Sequence, residues 1–216
     1  MDLKKKLSLI YKIIIVIVSG IGLYLNFDLL GFKGSIIYFT IQSNVLVFLT
    51  YLIVVILALS KKLKKGDTYH FVKGMVTMAI TITFFVFNFA ISGSGTASMY
   101  EGHAIASNFV HIFTPLLVML DYAIFVEKGH IKSSYPFIWS IILVAYLVFE
   151  MIYVSLGGTF EGGSKYPYFF IDVSSIGLKK AFFNSIILYV FFVGYGTVVQ
   201  VVDNKLTPKT TKSLQN

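Results

Sequence analysis

The chain contains no cysteine and no arginine, and only four prolines in 216 residues. Without cysteine there is no disulfide framework, no thiolate nucleophile and no thiolate-bound metal. Without arginine, the planar fork that grips phosphate with two hydrogen bonds is missing. The 18 lysines that leave a net charge of +8 are therefore poorly suited to reading nucleic acid. Charge of either sign is scarce. Only 13% of residues are charged, against roughly 25% in soluble domains. This excludes an ordinary soluble globule, a disordered tail and a soluble nucleic-acid binder. There is no phosphate-cradling loop, no Gly-x-Ser-x-Gly elbow and no His-x-x-x-His pair. His103 and His111 are eight apart and off one helical face, so neither a metal site nor a cofactor is expected.

Apolar residues take the place of charge, at 56% hydrophobic and 17% aromatic. Six stretches, roughly 8–26, 36–59, 71–91, 105–126, 137–156 and 181–202, reach the about twenty residues that a bilayer core requires. They predict an all-α polytopic membrane protein, a six-helix bundle forming one integral domain over residues 1–216. Lys4, Lys5 and Lys6 precede the first span, which lacks a small-x-small cleavage site and reads as an uncleaved signal anchor. Fourteen lysines fall on one side of the spans and four (Lys33, Lys165, Lys179 and Lys180) on the other. By the positive-inside rule both termini face the cytoplasm, in the cell membrane, and the basic side attracts anionic lipid heads. The charged connectors KKLKKGD and EKGHIKSS are short. The outer ones, SGSGTASMYEGH and GGTFEGGSKYPYFFIDVSSIGLKK, are longer, with glycines that suit lids or plain connections. The composition, rich in Lys, Ile, Phe and Asn, fits an AT-rich bacterial genome, and no internal repeat argues the inverted symmetry of a transporter.

Polar groups within membrane helices face the bundle interior or a cavity. Ten His, Asp, Glu, Asn or Gln residues lie within the spans once end lysines are set aside. Eight fall in the outer half: Asn26, Gln42, Asn44, Asn88, Asn108, His111, Glu150 and Asn184. Asp121 and Gln200 fall in the inner half. At about 1.5 Å per residue, Thr40, His111 and Glu150 each sit roughly 6–9 Å below the outer end of their span. Thr40, Ser43 and Asn44 share one helical face, as do Asn108, His111 and Pro115. Pro115 has no N–H for the His111 carbonyl and should kink the fourth helix. The fifth span carries Trp139, Tyr146 and Glu150 along one stripe. These residues predict a polar chamber opening outward, with interhelical hydrogen-bond glue as the plainer use of the same groups. Asp121, near the inner end, is expected to meet solvent, Lys128 or Lys132. A threonine hydroxyl is a weak nucleophile that an adjacent histidine activates, and amides beside it can stabilise an oxyanion.

The segments YFTIQSNVLVF, HIFTPLLVMLDY and YPYFFIDVSSIG, in this order on six spans, resemble the bacterial six-span family labelled Pr-six-Pr. More distantly the chain is similar to the eukaryotic androgen-induced and androgen-dependent membrane proteins, known as intramembrane threonine hydrolases of fatty acid esters of hydroxy fatty acids. The resemblance covers nearly the whole chain. It implies that Thr40 takes the nucleophile's place and His111 the base's, and that Tyr166–Tyr168 with Asp172 match the turn before the last span. The Gln-Ser-Asn after Thr40 is more polar than in the eukaryotic branch, and His111 stands one residue closer to its proline.

The resulting expectation is an intramembrane hydrolase of lipid-like (fatty acyl) esters, with membrane lipids and such an ester as partners. Thr40 and His111 are catalytic. Asn44, Asn88, Asn108 and Glu150 orient groups or stabilise the oxyanion, while Gln42, Ser43, Trp139, Tyr146 and Asn184 line the substrate. The alternative is a lipid-binding or proton-coupled small-solute transport protein using the same cavity. A third is an accessory subunit whose polar layer meets a partner's helices.

Overall fold

The structure, a computed structural model, describes residues 3–91 and 104–207. All regular structure among the described residues is helical. Six helices are long and apolar enough to cross a membrane: α1 Leu3–Ile36, α2 Phe39–Leu59, α3 Asp67–Ile91, α4 Ala104–Phe125, α5 Tyr135–Ser155 and α6 Leu178–Lys205. The chain is thus a multi-pass membrane protein. Five helices match the expected spans to within a few residues. The first runs further at both ends, from Leu3, and beyond a break at Gly31 (φ 69°) the chain resumes helix as far as Ile36. The connector SGSGTASMYEGH, with His103, lies outside the described residues, as do Lys209 and Lys212.

The chain divides into two compact units, one reaching to Ile131 and rejoined by Thr207, the other Lys132–Leu206. In the first, α1 packs on α2, α2 on α3, α3 on α4 and α4 back on α1, closing a four-helix ring. α1 shows how its sequence is sorted. Ile10, Ile14, Ile17 and Ile21 form an exposed stripe of the kind that faces lipid, whereas Ile15, Ser19 and Gly22 are buried. The centre of the ring joins Ile15, Val47, Tyr51, Val76, Ile80 and Val118. A Cβ on Gly22 would stand 3.0 Å from the Phe109 Cβ, so the glycine allows α1 to lie closely against α4, as small residues do between membrane helices.

In the second unit, α5 packs along α6. The long connector between them is tied down rather than open. Phe160 and Ile171 are buried, the Tyr153 hydroxyl donates to the Thr159 carbonyl, and Asn184 Nδ2 donates to the Phe170 carbonyl at 2.8 Å. Asp172 caps the helical turn Val173–Ile176 by accepting the backbone N–H groups of Ser174 and Ser175.

Two of the spans change pitch. α3 ends in a π-helical turn, Val86–Ile91, and α4 contains another, Phe109–Phe113. Such turns are rare and gather at functional sites.

Candidate functional site

The π turn in α4 explains what Pro115 does. The expectation was a proline kink that orphans the His111 carbonyl. Instead the ladder shifts to i→i−5: Thr114 N–H donates to the Phe109 carbonyl. In that register Pro115 stands opposite the carbonyl of Val110 and cannot donate to it. Asn44 of α2 supplies the missing donor, its Nδ2 lying 3.0 Å from the Val110 oxygen and 2.8 Å from the Thr40 oxygen. One buried amide thus joins the α2 turn that carries Thr40 to the α4 turn that carries His111.

Thr40 Oγ1 lies 3.2 Å from His111 Nε2. His111 Nδ1 lies 3.0 Å from the Ser107 carbonyl oxygen, with the Ser107 hydroxyl 3.1 Å away. A carbonyl oxygen can only accept, so Nδ1 carries the ring hydrogen and Nε2 presents its lone pair to the threonine hydroxyl. The Phe87 ring stacks on the imidazole, with centroids 3.7 Å apart and planes at 12°. Phe87 belongs to the π turn of α3, so both irregular turns meet at this histidine. His111 is buried while Thr40 is half-buried, which leaves the hydroxyl as the more accessible end of the pair.

No family model, curated protein or solved structure matches this chain.

Several expected roles change once the partners are known. Both hydrogens of the Asn44 amide are taken by backbone carbonyls, so Asn44 orients the two turns and has none left for an oxyanion. Ser43 is fully buried. Its hydroxyl bonds Thr83 Oγ1 at 2.7 Å and the Thr40 carbonyl at 2.9 Å, so it fastens α2 to α3 instead of lining a cavity. Gln42 donates to the Ile36 carbonyl and closes the start of α2. Asn26 donates to the Gly22 carbonyl of its own helix and to Ala106 of α4. Asn88, in the π turn of α3, donates to the carbonyl of Phe84 in the α-helical turn before it. Asn108 is half-buried and has no hydrogen-bond partner among the described residues.

Trp139, Tyr146, Glu150 and Asn184 belong to the second unit. Asn184 holds the connector through Phe170, a structural task. Glu150 is fully buried. Tyr146 interacts with it one turn away, yet neither carboxyl oxygen closes a hydrogen bond among the described residues. Glu150 was among the residues expected to orient groups of the site; on His111 Nδ1 the acceptor is the Ser107 carbonyl.

Spacing gave no view of two other groupings. Asp121, expected to meet solvent, Lys128 or Lys132, is sealed inside the ring. Lys12 Nζ and Lys73 Nζ each donate to it at 2.7 Å, and the Tyr51 hydroxyl donates at 3.0 Å. Lys73 also sits 3.5 Å from the Tyr51 ring centroid, and Lys12 reaches Ser8 Oγ at 2.7 Å. These two lysines therefore point into the bundle instead of reaching outward from span ends. The second grouping is His70, Glu127 and His130, whose nearest ligand atoms all lie within 4.8 Å of one another. Glu127 pairs with Lys65 at 3.0 Å, and this hydrogen bond holds its carboxyl below the usual glutamate range. The only sequence trace is Glu127-x-x-His130, with His70 fifty-seven residues before Glu127.

Proposed function

We propose that the chain is an intramembrane hydrolase of lipid-like, fatty acyl esters, with Thr40 as nucleophile and His111 as base. The observation that supports this reading is the 3.2 Å approach of Thr40 Oγ1 to an imidazole whose other nitrogen donates to a backbone carbonyl. A nucleophile, a base and a group that fixes the base's tautomer are the three parts of an activated hydroxyl. Here a main-chain carbonyl takes the place often held by a carboxylate.

In the first half-reaction Thr40 Oγ1 attacks the ester carbonyl carbon as its proton passes to His111 Nε2. The tetrahedral intermediate collapses, the ester C–O bond breaks, and Nε2 returns the proton to the departing alcohol. Water then attacks the acyl-threonine, again losing a proton to Nε2. Thr40 leaves with that proton and the fatty acid is released. Asn108 is the side-chain amide best placed by sequence and left uncommitted by its partners to steady the oxyanion.

The site belongs to the outer half of the membrane, with both termini in the cytoplasm. Removing the inward-pointing Lys12 and Lys73 from the lysine count leaves twelve against four, which keeps the same orientation. The chain also resembles the six-span family named above, whose implied nucleophile and base fall on these two residues.

Labelling of the purified chain with a fluorophosphonate or acyl probe tests the reading. The native chain and Thr40→Ser should react, whereas Thr40→Ala and His111→Ala should not. Equal labelling of Thr40→Ala would end the threonine proposal. Uptake of a solute that collapses with the pH gradient would favour the carrier instead.

A further inference from the structure

We propose that His70, Glu127 and His130 form a binding site for one divalent transition-metal ion of the zinc type, remote from the Thr40–His111 pair. Two imidazoles and one carboxylate are a donor set that Zn²⁺ accepts, with water completing a tetrahedron. His70 lies in the first turns of α3 and is 3% exposed, while Glu127 and His130 follow the end of α4. The site is therefore contributed by two chain segments of the same compact unit. Along α3, His70 is thirteen residues from Thr83, the partner of Ser43 beside Thr40. That is about 20 Å of helix, so the two sites are separate.

The three side chains are already gathered. Ligand atoms around a tetrahedral ion stand about 3.4 Å apart at zinc bond lengths of about 2.0–2.1 Å. The three residues here already bring theirs within 4.8 Å. The His70 and His130 rings are stacked, with centroids 3.8 Å apart and planes at 8°. Imidazole lone pairs lie in the ring plane, so binding requires the half-buried His130 ring to swing out of the stack and, with the exposed Glu127 carboxylate, to converge on an ion beside buried His70. The connector between the two loop ligands is packed in place. Gly129 has φ +89°, and a Cβ there would lie 2.6 Å from Thr207, while Lys128 Nζ donates to the Tyr122 carbonyl at 2.8 Å. Lys65 occupies Glu127 in the structure and is the cation that a metal ion must displace. An ion bound here ties the start of α3 to the loop that leaves α4.

The test uses the full-length chain purified in detergent, stripped with a chelator and titrated with Zn²⁺ against a chromophoric competitor. Thermal unfolding with and without Zn²⁺ is followed in parallel. One ion per chain is expected, together with a rise in midpoint temperature. His130→Ala and Glu127→Gln, both on the partly exposed loop, should each weaken binding by more than about tenfold. Lys65→Ala should tighten it by freeing Glu127. Replacing Zn²⁺ by Co²⁺ should give the visible absorption of a four-coordinate ion, lost in His130→Ala. Zinc binding equal in the native chain and in a folded His130→Ala/Glu127→Gln double variant overturns the site, as does the absence of any stoichiometric ion.

Discussion

At the scale of single residues, the proposed role of His111 as base rests on what holds it. Its ring is pinned on one face by Phe87, its Nδ1 is committed to Ser107, and only Nε2 is left for Thr40. Phe87→Leu should keep the fold but loosen the ring, lowering kcat for ester turnover by about tenfold with little change in KM, since positioning acts on the reacting geometry. Steady-state kinetics on the purified variant checks this. Asp121 carries a different burden. Asp121→Asn leaves two buried ammonium groups without their counter-ion, and should cost about 3–5 kcal/mol in detergent unfolding. Lys12→Met keeps the neutral Lys73–Asp121 pair and should be close to neutral, within about 1 kcal/mol. The candidate pair was named through the resemblance carried by YFTIQSN and HIFTP, and the count of residues from the span ends placed both at a similar depth. The roles of Asn44 and Ser43 were not legible, since an amide or hydroxyl can serve a carbonyl or a ligand equally well. The inward turn of Lys12 and Lys73 was hidden for a related reason. A lysine near a helix end can reach outward to water or inward to a carboxylate, and only the neighbouring helix decides.

At the scale of elements, hydropathy marks all six helices because an apolar run of about twenty residues has few other uses. The pitch of those helices is not marked. The π turn Phe109–Phe113 exists because Pro115 withholds a donor and Asn44, from another helix, supplies one. Local sequence announced a break at the proline, while the form of the break depended on a partner 66 residues before Val110. Pro115→Ala restores the N–H and lets the ladder compete with Asn44 for the Val110 carbonyl. Ester hydrolysis should then fall without loss of thermal stability, as His111 leaves its place opposite Thr40. Asn44→Ala, by contrast, leaves the buried Val110 carbonyl unserved and should lower stability by about 1–3 kcal/mol. In the connector before α6, burial opposes ionisation of Asp172. The hydrogen bonds of Ser174 and Ser175 outweigh it and hold the carboxyl below the usual aspartate range. A depressed folded value means the cap contributes stability above the ordinary pKa of about 3.9, and loses it as pH falls through the lower folded value. Proteolysis of this turn should therefore stay flat from neutral pH down to about 4 and rise below it, while in Asp172→Ala cleavage should be fast throughout.

At the scale of the whole molecule, the same absences that exclude a soluble enzyme make the protein easy to interrogate. With no native cysteine, single cysteines report topology without background. Lys165→Cys, at an exposed position, should react with an impermeant maleimide in intact cells, and the exposed Lys205→Cys only after permeabilisation. The reverse pattern would invert the orientation. Fold class was legible at this scale because composition and span length act over the entire chain. The division into two compact units was not, since it follows from which helix faces pack together. The central claim is chemical, and one measurement reaches it most directly: mass spectrometry of the chain after brief reaction with a fatty acyl ester, quenched in acid. An acyl adduct on the peptide containing Thr40, absent from Thr40→Ala and from His111→Ala, is the predicted result. Turnover that persists in Thr40→Ala, or an acyl group found on another residue, would contradict it.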